Sequence, residues 1–235
     1  MSTSTKPSAT YAQRCNPIVD RRRLPGIYDR LMARDRRRIL LAFARVWAYP
    51  LWFRVLRSES ADSVLADVDW WMRCINHTEL LRLDRYSQFA YLSGALPEFR
   101  SLLHYRLRST PFPLRVVLRT LYRPEPTLTI DVGSIGPGLF IQHGVATRIG
   151  AESIGSHCWI NQQVTIGYNA KGRPTLGDHV RVGVGAVVIG PVTLHDGATV
   201  GANATVMHDV GPGVTVVAPL ATTLRPRPAA GGGPT

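Results

Sequence analysis

The residue in this chain best suited to moving a proton is His143, in the run Gly138-Leu-Phe-Ile-Gln-His143-Gly144. A neutral imidazole with a pKa near 7 can take the proton of a hydroxyl as its oxygen attacks a carbonyl carbon. Surface histidines are common, and His77, His104, His157, His179, His195 and His208 have no comparable setting, so they read as surface or structural. The acids of the surrounding stretch are Asp131 and Glu152, and a carboxylate behind the ring would orient it. Asn161 and Gln162 carry amides that can donate to a developing oxyanion. Arg173 offers a cation to an anionic group. Cys15, Cys74 and Cys158 show neither paired nor metal-ligand spacing, and no serine or cysteine is placed for a covalent intermediate. Direct transfer without a metal is the chemistry this set suits.

What positions these residues is a six-residue period. Leu176, Val182, Val188, Leu194, Val200 and Val206 fall at strict spacings of six, each followed four places on by a small or β-branched residue. Neither the 3.6 period of a helix nor simple alternation gives that pattern. Hexads read as a parallel β-helix in which the large aliphatic fills the interior, and three hexads make one coil. The period continues upstream in Ile154, Ile160 and Ile166, and in Ile135 and Ile141, with one slip between Ile141 and Ile154. Cys158 takes a small inward place, which predicts a buried thiol. The step from Ile166 to Leu176 is ten, so a loop over 167–175 leaves a corner there. His143 stands two places after Ile141 and should point outward. The equivalent places on later coils are Gln162, Val184 and Ala202, which predicts one column along an edge of the prism.

The run ending in His143, the run Ile160-Asn-Gln-Gln-Val-Thr-Ile-Gly167 and the Gly/Ala-rich hexads beyond the loop resemble the serine O-acetyltransferase family. They look most like its branch often met with polysaccharide clusters. The likeness runs from about Ile130 to Val217, with a weaker stretch at Glu98-Phe-Arg-Ser-Leu-Leu-His-Tyr-Arg-Leu107. It implies an α+β chain, helices followed by a left-handed β-helix, and acetyl-CoA as donor. It further implies His143 as base, with Asp131 favoured over Glu152 as its partner because the family's aspartate precedes the first hexad. The family lays the pantetheine arm along a prism edge between subunits. Val184, Gly185, Ala202, Asn203 and Gly167 are therefore the expected donor-site residues. A homotrimer, or a pair of trimers forming a hexamer, is implied as well.

Departures from the family bear on the acceptor. Its aspartate immediately before the histidine is Gln142 here, which has no charge to pair with an ammonium group. Its Arg-His before a proline in the loop is Gly172-Arg173, and its last glycine-containing turn is Ala218-Pro-Leu-Ala221. These changes shift the expected acceptor towards a sugar or natural-product hydroxyl, with serine as the alternative. A non-catalytic scaffold that binds a partner enzyme is a further alternative.

The 235 residues carry a net charge of +12, and it is unevenly placed. Residues 1–127 hold 22 Lys+Arg against 11 Asp+Glu, and residues 128–235 hold 6 against 5. The basic half suits a solvated surface, or steering of CoA phosphates, anionic lipid or glycan. Nucleic acid is not expected, since no binding motif accompanies the charge. With no apolar secretory segment and no cysteine framework, a cytoplasmic enzyme is expected. The expected divisions are a disordered tail over 1–24, a helical domain over 25–126, the β-helix over 127–224 and a flexible tail over 225–235. Within the helical part, Ile39–Phe53 is broken by Arg45 and Pro50 and is read as too short to span a bilayer, with peripheral membrane contact a minor reading. Ser60–Asn76, Glu79–Leu92, Pro97–Leu107 and Leu114–Tyr122 read as further helices.

Overall fold

The structure is a computed structural model that describes residues 34–223. Both expected tails, 1–24 and 225–235, and Cys15 lie outside the described residues. Six helices precede the strands: α1 Arg34–Leu56, α2 Ala61–Ile75, α3 Thr78–Leu81, α4 Arg85–Ala95, α5 Pro97–Arg106 and α6 Phe112–Leu121. Helix α2 forms as its stripe requires, burying Val64, Val68, Trp71 and Met72, and ends where Asn76 turns left-handed and returns its N–H to the Met72 carbonyl.

Two helix expectations are corrected. Pro50 neither ends nor divides α1, which runs through it to Leu56. The 18 residues Ile39–Leu56 are thus one continuous apolar stretch of α1, long enough by length and composition to cross a membrane. One side of it, with Ala48, Leu51 and Val55, is buried, while Phe43 and Val46 are 68% and 77% exposed. The helix expected over Glu79–Leu92 is two helices. Asp84 caps α4 by accepting the Ser87 N–H at 3.1 Å, and this bond, with the Ser87 hydroxyl first among its causes, holds the Asp84 carboxyl below its ordinary range.

Twelve short parallel strands then wind a prism, and the alignment of their partners defines three walls. The first wall stacks β2 (Phe140–Gln142), β4 (Trp159–Asn161), β7 (Arg181–Val182), β10 (Thr199–Val200) and β12 (Thr215–Val216). The second and third share two long bent strands, β1 (Leu128–Ile135) and β3 (Thr147–Ile154). The first half of β3 pairs β5 (Thr165–Gly167), which continues to β8 (Val187–Ile189) and β11 (Thr205–Val206). Its second half pairs β6 (Thr175–Leu176), which continues to β9 (Thr193–Leu194). The interior columns are Ile141–Ile160–Val182–Val200, Ile149–Ile166–Val188–Val206 and Ile154–Leu176–Leu194–Val210, all buried. Each such side chain is worth about 1.5–3 kcal/mol on removal from water.

The slip in the hexads now has a location. Ile149, which the strict six-spacing misses, is a full interior residue. The step from Ile141 to it is eight residues and the next, to Ile154, is five. The two additional residues enlarge the first corner, and His143 lies on it.

A buried polar junction fixes the entry to the first coil, at Gly136–Leu139 just before β2, to the helices. Asp67 on α2 accepts Arg106 Nε and Nη2 at 2.8 and 3.0 Å, and also the Gly138 and Leu139 amides at 2.8 and 3.2 Å. Arg106 Nη2 in turn donates to the Gly136 carbonyl at 2.7 Å. Burial pushes the Asp67 carboxyl upward against the pull of Arg106 and the two amides. Trp71 donates its indole N–H to the Leu139 carbonyl at 2.6 Å and packs edge-on against Phe99 and Phe140.

Candidate active site

His143 is exposed, as its register predicts, and stands at φ 67°, followed by Gly144 at 52° and Ala146 at 51°. Left-handed backbone at non-glycine residues is uncommon and is retained where the surroundings over-determine it. Here the surroundings are α5 and β1. A Cβ on Gly144 would stand 2.9 Å from Glu98 Cβ and 3.2 Å from Leu128 Cδ2, so only glycine fits beneath the helix at this place.

The edge column is shifted from its expected membership. Gln163 N donates to the Val145 carbonyl at 2.9 Å, Gly185 N to Gln162 at 3.2 Å, and Asn203 N to Val184 at 2.9 Å. Ala146, Gln163, Gly185 and Asn203 are the left-handed residues of successive coils. Val145, not His143, therefore stacks with Gln162, Val184 and Ala202, and His143 stands just before the column on the enlarged corner. Val145 and Val184 are 49% and 36% exposed, and Ala202 is exposed too, which leaves an open edge of small side chains. Gly185 is held closely: a Cβ there would stand 2.2 Å from Asn203 Oδ1. Such an edge can accommodate a narrow flexible chain and offers backbone groups to its amides.

Gln142 and Asn161 lie on the first wall beside this edge. Trp159 Nε1 donates to Gln142 Oε1 at 3.2 Å, and Asn161 Nδ2 donates to the Val182 carbonyl at 3.2 Å. That asparagine amide is committed to the wall. Trp159 as the holder of Gln142 was not legible, because it depends on which residues the coil stacks.

The remaining expected residues gather at the next corner, between the second and third walls. Arg173 reaches back from the loop over 167–175 to pair with the Asp131 carboxylate at 3.2 Å and the Asp131 carbonyl at 3.2 Å, with its guanidinium over the Tyr168 ring. Glu152 is exposed on β3, where its amide donates to the Pro174 carbonyl. Gly167 is buried and accepts the Gly190 amide at 3.1 Å. In one chain, then, Asp131, Glu152, Arg173 and Gly167 do not join His143. Within the chain the Asp131 carboxylate, expected to orient the imidazole, pairs with Arg173 at this other corner. The carboxylate beside His143 is Glu98, whose charge and that of the imidazole act on one another. Glu98 sits in the first turn of α5, after the helix-starting Pro97, and nothing in its local sequence says which coil it will face.

Cys158 is buried with Sγ 3.2 Å from the Gly177 carbonyl, and burial pushes its thiol up to about 12, so it is no nucleophile. A cleft of about 780 Å³ lies between α5, α6 and β1, lined by Arg108, Arg115, Arg119 and Asp131 among others. His143 is not part of its lining.

The bacterial transferase hexapeptide (six repeats) family matches residues 173–208. Together with the coiled prism this defines the class: a hexapeptide-repeat acyltransferase. The serine acetyltransferase of Helicobacter pylori (strain ATCC 700392 / 26695) is 37% identical over 139 residues, covering 54% of this chain and 81% of that protein. The serine acetyltransferase of Synechococcus elongatus is 36% identical over 132 residues, 52% of this chain and 54% of that one. The chain belongs to the serine acetyltransferase family. Among solved structures, Entamoeba histolytica serine acetyltransferase 1 in complex with L-cysteine superposes with a TM-score of 0.52 at 22% identity, over 77% of this chain and 76% of that one, a likeness of fold. The soybean serine acetyltransferase apoenzyme gives 0.50 at 26%, over 67% and 66%.

Proposed function

We propose that this acyltransferase moves acetyl from acetyl-CoA to the hydroxyl of serine, with His143 as general base. The observation that carries the reading is the 37% identity that extends over 81% of a serine acetyltransferase. Relatives of this kind favour serine over the sugar and natural-product hydroxyls that Gln142 alone would suggest.

His143 takes the hydroxyl proton as the oxygen attacks the thioester carbon. Collapse of the tetrahedral adduct expels the CoA thiolate, which recovers a proton. The open edge at Val145, Gln162, Val184, Gly185 and Ala202 suits the pantetheine arm, and Asn203 holds its turn. Gln162, half-buried on that edge next to the corner, is the amide better placed to meet the oxyanion. Arg173 and the loop over 167–175 lie at another corner of the same chain, so they serve a His143 only across a subunit boundary. A trimer arranged edge to edge, alone or paired into a hexamer, would bring them there. The assignment to the cytoplasm rests on the sequence alone.

The test is CoA release with L-serine. Turnover of serine with His143-dependent kinetics supports the reading. A second reading, an acceptor without an ammonium group, is favoured by Gln142, which is neutral and held by Trp159. Turnover of nucleotide sugars or oligosaccharides with serine inert would establish it instead.

A further inference from the structure

We infer that Glu98 is the positioning residue of His143: a carboxylate supplied by the helical half of the chain in place of one from the coil. The inference rests on His143 being the base.

Four observations converge. Glu98 is 6% exposed, in the first turn of α5, and its Cβ packs on Gly144, the residue after His143. A buried carboxylate is costly unless something compensates it. Its helix position supplies part of the compensation through the N-terminal end of the dipole. The other charges acting on it are those of His143, Arg100 and Glu125. Arg100 donates to the carbonyls of Arg123 at 2.6 Å and Ser93 at 2.7 Å, neutral acceptors that hold it in place and leave its charge. Glu125 is spent on the Thr127 amide and hydroxyl at 3.1 and 2.6 Å. Of the two cations acting on Glu98, the imidazole acts the more strongly.

Asp131, the sequence candidate, is held by Arg173. No hydrogen bond joins Glu98 to His143 among the described residues, so the carboxylate acts through space. It favours the imidazolium that forms as the base takes the acceptor proton, in the sense in which a second carboxylate steadies a catalytic histidine. Glu98 is buried and the imidazole exposed, and a charge on the buried side is screened less than one at an open surface. Neither residue changes its bonds to the other: the proton moves from the acceptor oxygen to the imidazole and then to the leaving thiolate.

The test compares wild type, E98Q, E98D, D131N and H143A in full-length protein, reading kcat, both KM values and the pH–rate profile. H143A tests the underlying reading, and activity near wild type in it would sink both. With H143A inactive, E98Q is expected to lose about tenfold to a hundredfold in kcat, with the KM for acetyl-CoA unchanged. Its acid limb should move, because the buried charge facing the base is gone. E98D, with the charge one methylene further off, should fall between, and D131N should leave the limb in place. A folded E98Q with wild-type kcat and an unmoved acid limb overturns the inference. Should E98Q not fold, E98D decides: a profile identical to wild type overturns it, and an intermediate one supports it.

Discussion

The two halves of one prism edge are built differently, and the proposed base stands on the irregular half. Downstream, at Val184–Gly185 and Ala202–Asn203, the corners follow the six-residue period, carry small side chains and are open among the described residues. Upstream, the corner from Ile141 to Ile149 takes eight residues, holds His143 in a left-handed conformation and is pinned by α5 and β1. A regular lattice suits the even binding of a long thin donor. A single irregular corner suits a base that must be held at one point, and the helices supply the support the lattice lacks.

The largest expected effect on that contrast is removal of the base. H143A should lower kcat/KM for serine by about 10²–10⁴-fold, with far-UV dichroism and melting unchanged, whereas V184A at a regular corner should leave kcat within a few-fold. Next is the support. D67A leaves Arg106 buried without its anion and frees the Gly138 and Leu139 amides, so urea unfolding should show a loss of about 3–5 kcal/mol, with activity falling too as the corner loosens. L194A, in the lattice interior, should cost about 2–5 kcal/mol with kcat retained in whatever remains folded, separating general stability from support of the site.

A smaller effect sharpens the donor half. G185A places a methyl 2.2 Å from Asn203 Oδ1 at φ 68° and should raise the KM for acetyl-CoA while sparing kcat. The left-handed strain alone costs about 1–2 kcal/mol by thermal unfolding. Smallest is a pH effect on stability. Burial raises the Glu98 carboxyl above its ordinary pKa, so between the ordinary and the raised value the native state holds the extra proton. Stability must then fall as pH rises through that window. E98Q should flatten this slope in calorimetric melts from pH 4 to 7 and be no less stable than wild type at neutral pH, a sign opposite to its effect on turnover.

Much of this architecture was legible because a β-helix writes its period into the chain. Leu176 through Val206 are interior residues at the expected steps, and His143 points outward as its distance from Ile141 requires. Ile149 was hidden because the enlarged corner changes the spacing on both sides of it. The role of Val145 in the edge column was hidden for the same reason, since counting from Ile141 selects His143. That Asp131 pairs with Arg173 within the chain was hidden because chain order says little about which corner a strand residue faces. Glu98 comes from packing between halves of the chain, which no local pattern records.

The junction at Asp67 also constrains the order of assembly. Later coils need only a neighbouring coil to template them, so they can add one upon another. The first coil depends on a carboxylate and an indole from α2, some seventy residues earlier in the chain. The prism therefore acquires its leading end only when the helices have docked, and a fragment beginning at Thr127 should leave amides of Gly138 and Leu139 exchanging with solvent while those of Val188 and Val200 stay protected.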